Sequence, residues 1–206
     1  MNPNKFFDVL VRSLAESSLG QYQLTPSEMW CATLEEVQAE AVELASLRGL
    51  KVPQHVFDAD SLGEIDLTFL QTDGEAERLE AYEKRCEDMC GGLPSEDPEC
   101  VFFLGDDPRN GRCSWSCSSG KVSALRHQVV SLTWSPYRKR HMTVKEKLVM
   151  SGFPATPIIS AVTGWPLFES LLSCREVHSL LGNGVQCLVM CLMCFVALVC
   201  PKPRAA

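Results

Sequence analysis

The spacing of apolar positions predicts two helices in the first part of the chain. From Asn4 to Leu14, apolar residues recur at the helical period and predict a first helix. A second helix should begin after Thr33, because Thr33 and Glu36 have the spacing of a capping box, and should end near Gly49. The apolar face of this second helix consists of Leu34, Val37, Ala41 and Leu44.

A third helix is marked by its polar residues more than by its apolar ones. Thr72 and Glu75 repeat the capping-box spacing, and Gly91-Gly92 provides an end. Charged side chains dominate the segment, so we expect a surface helix with few contacts to the core. The two apolar anchors of this helix are Leu79 and Tyr82.

The second half of the chain contains a short helix and an apolar run. Glu146 lies three residues after Thr143, which predicts a helix from Thr143 to Met150 that Gly152 ends. Leu188 to Cys200 holds thirteen residues without a polar group other than sulfur. As a helix this run would span roughly 20 Å, and a bilayer core is about 30 Å thick. Burial inside a protein is therefore preferred over membrane insertion.

Signals for β-structure are confined to the middle of the chain. The apolar run Cys100 to Leu104 precedes a turn-rich stretch whose Asn110-Gly111 dipeptide predicts a hairpin. Val129 to Trp134 predicts a strand that ends at Ser135-Pro136. The predicted class is therefore α+β, mostly helical with a small irregular β-region.

Charge divides the 206-residue chain into regions, although its net charge is only −7. From Asp58 to Asp107, sixteen acidic residues face three basic ones, a net charge of −13. From Arg109 to Met150, nine basic residues face one acidic residue, a net charge of +8. The overall charge excludes a protein that coats nucleic acid through bulk charge. It leaves open either two solvated faces or a local contact of 109–150 with DNA.

These patterns suggest three regions. Residues 1–99 form a helical, acidic region, and residues 100–154 form a basic region. Residues 155–206 contain a linker followed by the apolar C-terminal helix. The chain begins without an apolar run, so no signal peptide is expected and the protein should be nuclear or cytoplasmic, not secreted.

Eleven cysteines are an unusual number for a protein of this size. In a reducing compartment they should be free thiols, not disulfides. Cys86/Cys90 and Cys113/Cys117 have C-x-x-x-C spacing, but zinc sites most often use C-x-x-C pairs. We therefore favour ordinary reduced cysteines and expect no metal site. The four histidines lie apart, and no P-loop, G-x-S-x-G or H-E-x-x-H motif is present.

One stretch carries a family resemblance. Between Tyr137 and Pro154 the chain resembles the ninth conserved motif of the cytosine-C5 DNA methyltransferases, which runs Arg, Leu-Thr, Glu and Gln-Gly-Phe-Pro. Met142 stands in place of the usual Leu, and Ser151 in place of the usual Gln. The matching residues are Arg140, Thr143, Glu146, Gly152, Phe153 and Pro154.

A second match lies downstream. Leu181 to Val185, which precedes the apolar helix, resembles the tenth motif of the same family, Gly-Asn-Ser/Ala-Val. The resemblance implies that Asn183 and Gly184 belong to a site for S-adenosylmethionine. Leu104 to Pro136 resembles the end of the target-recognition region, with Ser123 to Arg126 where Pro-Thr-Leu-Thr usually stands. The resemblance covers Val101 to Leu198, roughly half of the chain.

The catalytic motifs of that family do not occur in this sequence. No Pro-Cys nucleophile and no Glu-Asn-Val acid are present. The reaction needs a thiolate that attacks a cytosine flipped out of the duplex. We therefore assign no catalytic residue and expect a partial methyltransferase fold, Rossmann-like, that lacks its catalytic half and is inactive alone. A separate N-terminal catalytic half is one possible partner.

The resemblance implies DNA as a partner, with basic side chains facing phosphates. The candidate DNA-binding residues are Arg112, Lys121, Arg126, Arg138, Lys139 and Arg140. The alternative function is a non-enzymatic helical protein that associates with a membrane or a partner through its apolar tail, residues 185–200. A membrane is the less favoured of these partners.

Overall fold

The described part of the chain contains four α-helices with defined bounds, three short strands and three 3₁₀ helices. The computed structural model describes residues 29–111, 113, 115–116, 122, 131–151, 153–157, 160–161, 166–167, 176–177 and 181. The helices are α1 (Leu34–Leu47), α2 (His55–Asp58), α3 (Asp73–Cys90) and α4 (Val144–Met150). The strands are β1 (Phe102–Phe103), β2 (Thr133–Ser135) and β3 (Arg140–His141). The predicted α+β class is confirmed at this level.

Helix α1 begins and ends where the sequence predicts. The Thr33 side chain accepts a hydrogen bond from the Glu36 amide at 3.3 Å, and Glu36 accepts one from the Thr33 amide at 2.8 Å. The helix ends at Arg48, and Gly49 has a φ of +67°, a left-handed conformation that favours glycine. Three of the four predicted apolar positions, Val37, Ala41 and Leu44, are buried, and Leu34 is partly buried.

Helix α3 also has its predicted capping box and a glycine end, but it is less superficial than expected. Its Thr72–Glu75 box is complete, and Gly91 ends the helix at a φ of +71°. Tyr82, one of the two predicted anchors, is fully buried. Cys86 is also buried, although its sequence context did not predict a core position. Arg48 binds Glu75 at 2.6 Å with both side chains 6% exposed, and this buried pair joins the end of α1 to the start of α3.

The sheet is antiparallel, with strand order β1-β2-β3. Trp134 is central, because it lies opposite Phe102 on one side and His141 on the other. The turn from Pro136 to Lys139 connects β2 to β3. No parallel strand pair occurs among the described residues, and a methyltransferase-like Rossmann arrangement is not confirmed.

Two details of the predicted β-region are wrong. Asn110-Gly111 does not form a two-residue hairpin, because Pro108–Asn110 is a 3₁₀ turn. Asp107 starts that turn by accepting a hydrogen bond from the Arg109 amide at 2.9 Å, and Gly111 ends it. The strand predicted from Val129 to Trp134 is also displaced. Strand β2 begins only at Thr133 and includes Ser135, where the predicted strand ends. Val129 lies outside the described residues.

The described residues form two buried clusters of apolar side chains. The larger one joins α1, α3 and the sheet, and it includes Leu44, Tyr82 and Trp134. Tyr82 and Phe102 stack with ring centroids 4.9 Å apart. The smaller cluster includes Val144, Leu148 and Val149 of α4. Cys31 packs against the smaller cluster and its neighbour Ala32 belongs to the larger one, so the segment before α1 contacts both.

Several predicted elements lie outside the described residues. These are the helix from Asn4 to Leu14, the stop at Gly152 and the apolar run from Leu188 to Cys200. Among the residues that the structure describes, no helix has the length and apolar character needed to cross a membrane.

Gly91 offers a test of the α3 end. Gly91→Ala should lower the free energy of unfolding by about 1 kcal/mol, because a side chain with a Cβ atom is strained at this φ even though the space is open. Gly92→Ala is the matched control, since Gly92 also has open space and its φ is not positive. Urea unfolding measures both variants. Equal effects of the two substitutions would contradict the assignment of the helix end.

Candidate functional site

The segment that resembles the ninth motif folds as a strand followed by a capped helix. Thr143 starts α4, and its side chain accepts a hydrogen bond from the Glu146 amide at 3.3 Å. The Glu146 carboxylate accepts one in return from the Thr143 amide at 2.8 Å. This reciprocal capping box confirms the predicted start of the helix and explains the three-residue spacing of Thr and Glu.

Arg140 forms a buried, bidentate ion pair with the same glutamate. Its two terminal nitrogens lie 2.7 and 2.9 Å from the Glu146 oxygens. The Arg140 side chain is 2% exposed and the Glu146 side chain is fully buried. Ala32 also donates its amide to Glu146 at 3.2 Å. Glu146 therefore receives four donors from three segments, and all its acceptor positions are used.

The position of Arg140 does not fit the expectation that it faces DNA phosphates. Its guanidinium is buried and is already paired with a carboxylate. Separating a buried pair leaves an uncompensated charge in the protein, which is strongly destabilising. Within the described residues, Arg140 holds the site together from inside and does not contribute to its surface.

Helices α1 and α4 contact each other through carboxylates that bind across the interface. Glu40 of α1 accepts a hydrogen bond from the Val144 amide at 2.9 Å, and its other oxygen lies 3.4 Å from Nε2 of His141. Lys145 binds Glu36 at 2.7 Å. Negative charge at the start of a helix is favourable, because the free amides there point outward. The carboxylate of Glu40 therefore stabilises the start of α4.

The environment of Glu40 changes its acidity. Burial alone raises the pKa of Glu40, but the nearby His141 and Lys147 and the Val144 amide outweigh burial and lower it below the ordinary value of 4.5. The charged form is thus the one that the folded protein prefers. His141 is itself fully buried, so this contact lies inside the protein and is not accessible to a substrate.

A chain of cation and aromatic contacts leads from the buried ion pair to the surface. The guanidinium of Arg140 lies 4.5 Å from the ring centroid of Trp30, and that of Arg138 lies 4.7 Å from the same ring. Arg138 is also 5.4 Å from the ring of Tyr137, which is 50% exposed. Burial, followed by the charge of Arg140, lowers the pKa of Arg138. We call these four residues the cation–aromatic chain.

Lys139 is the most exposed basic group of this region. It has a φ of +49°, a left-handed conformation at the end of the β2–β3 turn, and its side chain is 64% exposed. Its ammonium group lies 3.6 Å from the carboxylate of Asp66. The Lys139 carbonyl accepts a hydrogen bond from the Leu67 amide at 2.9 Å, so the turn is attached to the loop before α3.

Three of the predicted DNA-binding residues lie together in the described structure. Arg138 and Lys139 are in the β2–β3 turn, and Arg140 is buried directly after it. The remaining predicted site residues lie outside the described residues: Arg112, Lys121, Arg126, Asn183 and Gly184.

Sequence reasoning missed Trp30, Glu40 and Tyr137. Of these, only Tyr137 had a local signal, since it is an aromatic residue directly beside basic ones. Trp30 lies more than 100 positions from the turn, and nothing in the sequence connects the two.

The packing around α4 includes other parts of the motifs. Phe153 packs against the smaller cluster and donates its amide to the Leu148 carbonyl at 3.0 Å. Pro154 is buried. Leu181, the first residue of the second matched segment, is buried in the same cluster. Phe153 and Leu181, one from each matched segment, therefore share one apolar contact region.

The described residues contain no group of three or more potential metal ligands, and their cysteines Cys31, Cys86, Cys90, Cys100 and Cys113 are free thiols. A surface depression of about 280 Å³ lies along α3, and Glu80, Glu83 and Glu87 contribute to its lining. Burial and the neighbouring Glu80 raise the pKa of Glu83. The acidic lining does not suit a phosphate ligand.

Comparisons of the chain with protein-family models, curated proteins and solved structures found no match. The methyltransferase resemblance therefore depends on the motif residues alone.

The buried ion pair can be tested by its stability. Arg140→Met should lower the free energy of unfolding by about 3–5 kcal/mol, because the buried carboxyl group of Glu146 would lose its paired cation. Lys145→Ala removes the partly exposed pair with Glu36 and should cost about 0–1 kcal/mol. Guanidinium unfolding of both variants gives the comparison. Similar costs for the two would show that Arg140 is not a buried partner.

Glu40 should make stability depend on acid pH. Because the folded protein lowers the pKa of Glu40 below 4.5, its ionised form adds stability above about pH 4.5 that is lost as the pH falls through the folded pKa. Glu40→Gln should lower stability at pH 7 and weaken this acid dependence. Urea unfolding at several pH values measures the effect, with Glu87→Gln on the exposed face of α3 as control. An unchanged pH profile in Glu40→Gln would disprove the role of Glu40.

Proposed function

We propose that this chain is a methyltransferase-like protein that binds DNA through the β2–β3 turn and does not transfer a methyl group by itself. The observation that carries the proposal is that Arg140, Thr143 and Glu146 form one hydrogen-bonded unit directly behind the basic turn. This unit gives a physical reason for the residue types and spacing that resemble the ninth motif. A rigid support of this kind suits a binding turn, because a turn that is already ordered loses little conformational entropy when a ligand binds.

The role of the turn follows from its charge and exposure. Lys139 extends into solvent, and Arg138 is half-buried beside it. Contact between Lys139 and a phosphate would release counterions from the nucleic acid, so that binding weakens as the salt concentration rises. Asp66 weakens the field at this position because its carboxylate lies 3.6 Å from the ammonium group. We therefore expect modest affinity from the turn alone.

The same proposal covers the cofactor and the catalytic half. S-adenosylmethionine is the methyl donor that the resemblance implies, with Asn183 and Gly184 near it. No Pro-Cys nucleophile occurs in the sequence, so a separate chain would have to supply one. Association through the apolar tail, residues 185–200, remains the alternative function.

Salt-dependent DNA binding tests the proposal. Fluorescence anisotropy with the full chain and a labelled duplex should show log Kd rising linearly with log salt concentration. Lys139→Ala should weaken binding and reduce the slope by about 0.9, the value for one lost phosphate contact. Incubation of the same sample with labelled S-adenosylmethionine and DNA should give no methylated product.

The matched control is Lys84→Ala, since Lys84 is an exposed lysine on the acidic helix α3. Its loss should leave the slope unchanged. Binding that is absent, insensitive to salt or equally affected by both lysines would reject the DNA-binding role. Methyl transfer by the chain alone would reject the proposed lack of catalysis.

A further inference from the structure

We infer that Tyr137 is a stacking platform for an unpaired base, so that the β2–β3 turn prefers single-stranded nucleic acid to a duplex. This inference rests on the proposed function and names the form of nucleic acid that the turn binds. The juxtaposition that supports it is an exposed aromatic ring at the outer end of the cation–aromatic chain, with an exposed lysine two residues further along the same turn.

The ring of Tyr137 is exposed but supported. Half of the residue is open to solvent, although an aromatic side chain normally gains by burial. Arg138 stands behind the ring, and its guanidinium contacts both Tyr137 and Trp30. A hydrogen bond of 2.5 Å from Arg138 to the Pro98 carbonyl holds that guanidinium in place.

The backbone of the turn is attached on both sides. The Arg138 amide donates a hydrogen bond to the Ser135 hydroxyl at 3.3 Å, and the Leu67 amide donates one to the Lys139 carbonyl. The inner end of the cation–aromatic chain is Arg140, which Glu146 fixes inside the protein. Tyr137 therefore loses little freedom when a flat ligand stacks on it.

The chemistry of the turn favours an unpaired base. Every base has a π-face that stacks on an aromatic side chain, and Lys139, in the same turn, carries an exposed positive charge that can neutralise a phosphate. Reading a duplex instead requires free donors that reach base edges in a groove. The guanidinium of Arg138 is already engaged by a carbonyl and two rings. In a duplex each base face is covered by the neighbouring base. The Tyr137 ring could therefore stack on a base only after that base had been unstacked from its neighbour.

Asp66 acts as a competitor within the protein. Its carboxylate contacts Lys139, and it also accepts hydrogen bonds from the amide and the hydroxyl of Thr68. Asp66→Asn retains an oxygen that can accept these bonds but removes the negative charge. The substitution should therefore free Lys139 and strengthen binding to nucleic acid, which loss of folding cannot imitate.

The experiment compares single-stranded and duplex probes with the full chain. We use an oligodeoxythymidine of about 20 nucleotides and a duplex of equal length, both labelled, and compare them over the same series of salt concentrations. The single strand should bind at least about fivefold more tightly. Tyr137→Ala should remove this preference, whereas Tyr137→Phe, which keeps the ring, should retain it. Asp66→Asn should increase affinity for both probes.

The outcomes separate this inference from the proposed function. If neither probe binds in a salt-dependent way, both the proposed function and the inference are rejected. If both probes bind equally, through Lys139 and without regard to Tyr137, DNA binding stands and the stacking role is overturned. A preference for the single strand that persists in Tyr137→Ala also overturns the role of Tyr137. Circular dichroism spectra verify that each variant is folded.

Discussion

The carboxylate of Glu146 is the point on which the described structure depends most. It joins the start of α4, the strand β3 and the segment before α1, through the Thr143 amide, the Arg140 guanidinium and the Ala32 amide. Buried ion pairs contribute less net stability than their geometry suggests, because both charges lose their water. Removing one partner, by contrast, is strongly destabilising, because it leaves an uncompensated charge buried among the three segments.

The same device appears at all three described capping boxes, with different strength. Each box glutamate caps its own helix and also binds a distant cation: Glu36 binds Lys145, Glu75 binds Arg48, and Glu146 binds Arg140. Burial increases in that order. The first pair is partly exposed and contributes little, whereas the other two are shielded from water. A local capping motif is thus used to join elements that are far apart in the sequence.

This double use explains what could and could not be predicted. The three helix starts follow from residues three positions apart, so the sequence is sufficient to locate them, and Gly49 and Gly91 mark two of the ends. The cation that each glutamate binds comes from tertiary packing, and no local pattern reveals it. The strands of two or three residues are too short for alternation to place. The Asn110-Gly111 dipeptide predicted a hairpin because it was read without the preceding residues. Asp107 and Pro108 start a 3₁₀ turn there instead.

For the candidate site, the sequence located the basic segment but not the different environments of its residues. Counting charges treats Arg138, Lys139 and Arg140 alike, although burial increases from the exposed Lys139 to the enclosed Arg140. The distinction comes from Trp30 and Glu146, which surround the arginines. Hydrophobic periodicity cannot reveal the difference in burial, because a tight turn with Lys139 in the left-handed conformation directs neighbouring residues into different environments.

The contacts between α1 and α4 also constrain how the chain folds. They join residues 104 and 109 positions apart, and the Ala32 amide just before α1 reaches Glu146 over 114 positions. Closing a loop of this length costs entropy before any contact compensates for it, and such non-local contacts slow folding. A chain that emerges from the ribosome with its N-terminus first makes α1 long before α4 exists. We therefore expect this interface to form late, after the larger apolar cluster has assembled, so that the surface carrying the basic turn is completed only when synthesis has passed residue 146.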